Sequence, residues 1–408
     1  MSCKTAIQPI FVNQPKQGML TRRSALLAIA GAAAELAGCG GGGVDTAGLS
    51  SGGTGSFTSG TISGFGSIIV NGIRYNNDSA SVIGSDGASA SNTSLKLGMM
   101  VNIEGSAVTP ASTAGALPVA TAYSISFDSE WIGPVSSING QTFGILGNTV
   151  DVLSSTVVGG VIQAYADLRT THFVEVYGYV DGVDGHVQAS RIDVFDVRPS
   201  EYKLSGALFS LDRGDRSATV GRTSIEWASA ADLLSPIANG DFVLVRLNPV
   251  PSRGVWIATR IQLQSSATAT LSNERSYEAE IQGSITAYTS AANFTVNGVV
   301  VDATSAIVTG SLAVGVVVEV EGTIQAGVLT AEKVEVKSSS EIESQEFVFY
   351  GVLSNLTEST FVVRGQTFNY DTNTEHMNRI TGLTSPDVKV KAIRVNGGMY
   401  ATEIELDD

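Results

Sequence analysis

Beyond residue 56 apolar and polar residues alternate with a period of two, in short runs. Val317-Val318-Glu319-Val320-Glu321 is representative: 317, 319 and 321 fall on one side of an extended chain, 318 and 320 on the other, because successive strand side chains point to opposite faces. Phe294-Thr295-Val296 and Phe361-Val362-Val363 behave alike. Glycine-containing pairs punctuate such runs, at Asn71-Gly72, Gly147-Asn148, Asn297-Gly298 and Gly365-Gln366. Asn-Gly between alternating runs is a strong hairpin signal, because both central positions of a type I′ turn take positive φ. The pattern predicts an all-β chain built from short hairpins.

The hairpins recur. Gly60, Gly133, Gly206, Gly283 and Gly351 open five similar stretches, spaced 73, 73, 77 and 68 residues apart. After each hairpin comes a strongly alternating strand: Gly98 to Ile103, Phe173 to Val176, Gly240 to Leu247 and Gly315 to Val320. A last strand follows, at Ala189 to Val194, Ala258 to Leu263, Ala331 to Val336 and Ala401 to Leu406. Between the halves, Leu95-Lys96-Leu97 and Ser311-Leu312-Ala313 suit one helical turn or a loop. Five short strands in roughly 65 residues resemble a small OB-like barrel, in which closure removes the open edges. A module of that size buries only about 60% of its unfolded surface, so neighbours must support one another. The expected fold is a string of about five OB-like β-barrel modules in contact, at 57–129, 130–200, 201–275, 276–344 and 345–408, after a disordered signal and tether.

The opening GTISGFGSIIVNGIRY (residues 60–75), with Leu95 to Gly105, resembles the repeat of a bacterial family, domain of unknown function 5666. The likeness is close in units 1 and 4 and weaker in 2 and 5. It is poor in unit 3, where Arg222 and Trp227 replace the usual turn neighbours. The resemblance implies an exported or lipidated protein with several copies of one module, and brings neither an activity nor an assigned site.

Residues 1–38 have the layout of an export signal. Arg22-Arg23 precedes the apolar run Ser24 to Ala34, and Leu36-Ala37-Gly38-Cys39 places small residues before a cut. The apolar run is too short to cross a hydrocarbon layer of about 30 Å, so it reads as a signal, not an anchor. Residues 36–39 resemble a lipobox, which would make Cys39 the lipidated N-terminus. Thr21 to Leu27 resembles a twin-arginine signal, and Met19 is an alternative start. Residues 40–56 hold Gly, Ser, Thr and Ala with a single charge, Asp45, and read as a flexible tether reaching roughly 20–25 Å. These features predict a lipoprotein of the bacterial cell envelope, held to the membrane by its lipid. Gly40, in place of the Asp that marks inner-membrane retention, favours the outer membrane, facing periplasm or surface.

Charge narrows the partners. The whole chain is at −15, and residues 1–38 carry Lys4, Lys16, Arg22 and Arg23 against Glu35. The remainder therefore holds 20 basic and 38 acidic residues, a net −18. Such a surface repels phosphate backbones, so no nucleic acid partner is expected. Cations, neutral glycans or another envelope protein fit better. The only cysteines are Cys3 and Cys39, so lipidation of the second leaves no thiol, disulfide or cysteine metal site.

Candidate chemistry is sparse. His172, His186 and His376 form no i, i+4 pair, so neither a zinc site nor any other cofactor is expected. Asp181-Gly182-Val183-Asp184-Gly185 alternates like a calcium loop, but position twelve is Ile192 where an EF-hand needs Glu, and a hairpin turn explains it. Gly48-Leu49-Ser50-Ser51-Gly52 matches G-x-S-x-G inside the tether, without the strand and helix of a nucleophile elbow. Glu104, Glu319, Glu321 and Glu335 sit at repeat-equivalent strand positions and read as solvated faces. Trp131, Trp227 and Trp256, with Tyr177, Tyr179 and Tyr350, suit barrel cores or a sugar platform. No catalytic residue is assigned, and the expected function is a non-enzymatic binding or spacer module. The alternative is a glycan-directed hydrolase or esterase, which would need polar residues of one unit to converge in a single asymmetric cleft.

Overall fold

The computed structural model describes residues 55–407 except 85–86, 114, 182–183, 230–231, 235, 265–266, 269–270 and 396. Arg22, Arg23, Leu36, Ala37, Gly38, Cys39 and the G-x-S-x-G stretch lie outside the described residues.

Five barrels follow one another along the chain. In barrel 1 the strands are Gly55–Phe65, Ile68–Val70, Ile73–Asn76, Met100–Gly105 and Val119–Phe127. The first pairs antiparallel with the second and the second with the third; the third runs parallel to the fifth, the fifth antiparallel to the fourth, and the fourth closes back on the first. The same ring, 1-2-3-5-4-1, closes in barrel 2, barrel 3, barrel 4 and barrel 5. Closure of this kind is the OB arrangement, and it leaves each small barrel a core of inward-facing Val, Ile and aromatic side chains. Barrel 3, whose sequence fits the repeat worst, keeps the ring because backbone pairing and alternation, not particular turn residues, define it.

Two turns sit one residue earlier than expected. Ile145 pairs with Asn148 and Val363 with Gln366, so the central residues are Leu146-Gly147 and Arg364-Gly365. In each pair, as in Asn71-Gly72 and Asn297-Gly298, both residues have positive φ, as the type I′ hairpin requires. The conformation selects Gly at the second position and tolerates Leu or Arg at the first. The first strand also begins at Gly55, so Gly55 and Ser56 belong to the barrel, not to the tether.

The barrels do not form a simple string. In barrel 1 residues 56–59 pair with the fourth strand along one edge, while the other edge has no partner within the barrel until Ile62 meets Val70. That free edge takes the first strand of barrel 4 in parallel, from Gly55↔Tyr277 to Ser59↔Ile281. Further along, Gly64 and Phe65 pair with Val348 and Phe349 of barrel 5. Buried backbone groups need partners, and here they find them in barrels distant in sequence. The cores of barrels 1 and 5 are continuous, as are those of barrels 2 and 3. Barrels 2 and 3 meet where Trp131 Nε1 donates to the Ser205 carbonyl at 2.9 Å and the buried Lys203 ammonium donates to the Ser129 carbonyl beside Asp128.

This packing corrects the reading of the acids. Glu278, Glu280 and Glu321 are buried, although they lie on outward strand faces. Glu280 stands directly across from Glu321, on the side of barrel 4 against which barrel 1 packs. Glu104 accepts from the Tyr277 hydroxyl at 3.2 Å, across the same joint.

Candidate functional site

The joint of barrels 1, 2 and 4 with the connection to barrel 5 borders a half-open polar cavity of about 220 Å³. Thr61 and Asn71 reach it from barrel 1, Tyr179 from barrel 2, Gln282 and Glu319 from barrel 4, and Gln345 from the connection. Strand alternation puts Gln282 on the same outward face as Glu280, and Glu319 lies directly opposite Gln282 in the register.

The connection is shaped by a short helix, Ser339–Glu343. Ser338 and Glu341 cap its start reciprocally, and Ile342 is its buried foot. Gln345, just beyond it, donates from Nε2 to Thr61 Oγ1 at 2.8 Å. The Tyr179 hydroxyl also bonds Thr61, and burial pushes its phenol well above the usual range. Asn71, at the hairpin turn, donates from Nδ2 to the Ser59 carbonyl at 3.1 Å and to the Glu280 carbonyl of barrel 4 at 3.4 Å. One turn residue thus ties two barrels at the cavity wall.

Lys337 also lines the cavity; its ammonium lies 2.8 Å from Glu319 and 3.6 Å from Glu335. Burial works against that charge, but the two carboxylates hold the ammonium above its ordinary pKa. Glu280 goes the other way: burial, then the charges of Glu319 and Glu321, push it up to about 8 against the pull of Lys337 and Lys333. The cavity therefore offers amides, hydroxyls and the carboxylates of Glu319, Glu341 and Glu346, of which Glu319 is paired with the Lys337 ammonium. These are groups that hydrogen-bond a small polar molecule.

The other candidates separate. His172 Nδ1 accepts from the Arg169 amide at 3.1 Å, His186 Nδ1 lies 3.2 Å from Asp151, and His376 Nδ1 lies 3.7 Å from Glu403. Glu375, His376 and Glu403 bring three ligand-type atoms within 4.8 Å of one another, but the Lys391 ammonium, 2.7 Å from Glu403, already supplies the positive charge there. The Asp184 amide donates to Asp181 Oδ1 at 3.4 Å where the strands meet at Asp181↔His186, as in a hairpin turn. Trp131, Trp227, Tyr177, Tyr179 and Tyr350 are buried in cores or joints, and Trp256 stands edge-on to Tyr202 at 5.6 Å. They do not form a common platform. Of the acids singled out from sequence, only Glu319 lines the cavity. Gln282 and Gln345 escaped notice; the available signal was that Gln precedes the unit-opening glycine only in unit 4, where the other units have Ser59, Ile132, Ser205 and Tyr350.

A family model described as domain of unknown function (DUF5666) matches residues 55–109, 132–193, 282–335 and 350–405. The four matches span more than half of the chain and pass over barrel 3. No curated protein matches the chain. Among solved structures, one titled drosophila Unr CSD456 is 17% identical over 52% of this chain and 99% of its own, with a TM-score of 0.14.

Proposed function

This chain belongs to the DUF5666 family, and we propose that it is an exported, lipid-anchored protein of the bacterial cell envelope whose barrels form a non-enzymatic binding module. Its ligand site is the polar cavity between barrels 1, 2 and 4. The observation that carries this reading is the convergence of Thr61, Asn71, Tyr179, Gln282, Glu319 and Gln345 from separate barrels on one space. A spacer has no use for such a place. At about 220 Å³ the cavity lies below the range of drug-sized pockets, which begins at roughly 300 Å³. It suits a ligand the size of one sugar ring. Amide and hydroxyl groups beside three carboxylates and a single ammonium favour a neutral polyhydroxyl ligand over an anion, in keeping with the acidity of the chain.

The hydrolase alternative draws on Glu280, whose carboxyl is pushed up to about 8 by burial and by the charges of Glu319 and Glu321, the direction a general acid needs. Against it, the neighbouring Glu319 is held by Lys337 at 2.8 Å and is not free to act as a base. Calorimetric titration with monosaccharide and disaccharide fragments of envelope glycans tests the binding reading. Saturable binding that disappears in Gln282→Leu supports it, and no binding to any of them refutes it. A hydrolysis rate with those glycans that Glu280→Gln abolishes would establish the enzyme instead.

A further inference from the structure

A second cavity, of about 300 Å³, opens between barrels 1 and 5 and differs in chemistry from the first. Its walls are Phe65, Leu97 and Phe349, and its rim is Arg364, Gly365 and Gln366. Phe65 and Phe349 stand 6.3 Å apart between ring centroids. From Phe349 an aromatic series continues into the barrel 5 core, edge-on to Phe368 at 5.1 Å, which stacks on Phe361 at 5.3 Å. The cavity thus lies at the end of a run of rings, where a further ring finds an aromatic neighbour.

Arg364 is held in an unusual way. It is the first residue of the hairpin turn at φ +53, the position that barrels 1 and 4 give to Asn71 and Asn297. Its stem crosses Gly351, where an added Cβ would come within 3.1 Å of Arg364 Cγ, and its Nε donates to the Tyr350 carbonyl at 2.7 Å. On the same tyrosine, the Arg74 guanidinium from barrel 1 lies 4.0 Å above the ring. Neither guanidinium forms an ion pair with a carboxylate among the described residues, although the chain has 39 acids to 24 bases and most of its lysines are paired. With Nε committed to the carbonyl, the two terminal nitrogens of Arg364 remain as a fork suited to a carboxylate.

We propose that this cavity is a binding site for a small aromatic carboxylate, its ring against Phe65 and Phe349 and its acid group on Arg364. The site is distinct from the polar cavity and does not depend on the reading given to it. Titration of the purified full chain with benzoate, benzamide and acetate, followed by calorimetry, separates the contributions of ring and charge. Benzoate should saturate a single site, with the neutral amide and the ringless anion weaker by on the order of ten-fold or more. Arg364→Asn installs the residue that barrels 1 and 4 use at this φ, so the unfolding midpoint should hold while benzoate affinity falls by a similar factor. Gln282→Leu should leave benzoate binding intact. Absence of saturable benzoate binding, equal affinity for benzoate and benzamide, or unchanged affinity in Arg364→Asn would each overturn the proposal. If Arg364→Asn lowers the midpoint, the benzoate-benzamide comparison on the unaltered chain decides alone.

Discussion

Gly60 and Asn71 share one small volume: a Cβ on residue 60 would collide with the Asn71 side-chain amide, which donates to the carbonyl of Ser59 at 3.1 Å. Gly283 and Asn297 repeat the arrangement in barrel 4, where Asn297 reaches the Gln282 carbonyl at 3.5 Å. The glycine that opens a unit and the asparagine of its hairpin turn are therefore one device. The bare backbone of the first strand makes room for the side chain that pins the turn.

That coupling predicts a rescue. Gly60→Ala should cost about 1–3 kcal/mol, the usual range for forcing an atom into an occupied space. Asn71→Gly, which keeps the positive φ and removes the side chain, should recover part of the loss when added to Gly60→Ala. Urea unfolding of the two single variants and the double variant measures it, and strictly additive costs would disprove the coupling.

Gly72 isolates the backbone contribution. Its φ is +73, and an added Cβ would have nothing within 4 Å, so Gly72→Val meets no clash. It should nonetheless lower stability by about 1 kcal/mol or more, because a β-branched residue is strained at positive φ. Gly72→Asn should cost less. Equal unfolding midpoints for both variants would mean that the turn conformation is wrong.

Glu280 predicts a pH dependence. Its folded pKa is raised to about 8 by burial and by Glu319 and Glu321, whereas in the unfolded chain it returns to the ordinary carboxylate range. Between those values the folded state binds more protons, so this group makes stability fall as pH rises toward about 8 and adds no slope beyond it. Each pH unit in that window is worth at most about 1.4 kcal/mol. Glu280→Gln cannot ionise, so its stability relative to the parent should rise between about pH 5 and about pH 8. Parallel stability curves would refute the assignment.

Arg191 joins barrels 1 and 2. It donates to both carboxylate oxygens of Asp193, at 3.0 and 2.5 Å, and to the Leu97 carbonyl at 2.8 Å. Burial alone would raise the Asp193 pKa, but Arg191 and Lys96 hold it below the ordinary range. Arg191→Met leaves the buried Asp193 with Lys96 alone, 3.1 Å away, so it should cost less than the roughly 3–5 kcal/mol of a fully unpaired buried charge, and Arg191→Met with Asp193→Leu should cost less than the single change. Thermal unfolding of both variants checks the order.

Cys39 carries the anchoring proposal. Cys39→Ser should abolish incorporation of labelled fatty acid and move the protein from the membrane to the soluble fraction. Label retained by that variant would remove the basis for a lipid anchor.

The repeat, the all-β class and the ring of five strands were legible because their causes are local. Alternation at Val317 to Glu321 follows from the geometry of an extended chain, and Asn71-Gly72 marks a turn through the φ values it accepts. The one-residue displacement at Leu146-Gly147 and Arg364-Gly365 has the same root. Once glycine holds the second turn position, the first accepts residues that carry no turn signature.

By itself, then, the sequence determined the all-β class and the repeated five-stranded barrel, and it placed Glu319 among the candidate acids. Only the tertiary structure decided that barrel 1 pairs with barrels 4 and 5, that Glu280 and Glu321 are buried, and that Gln282, Gln345 and Thr61 face one cavity. The contact of barrel 1 with barrel 4 runs through the free backbone edge of residues 55–59, and backbone N–H and C=O groups are alike in every residue. An edge that will meet another barrel therefore has the same sequence pattern as one that will meet water, and Glu280, polar on an outward face, fits both until the barrels pack.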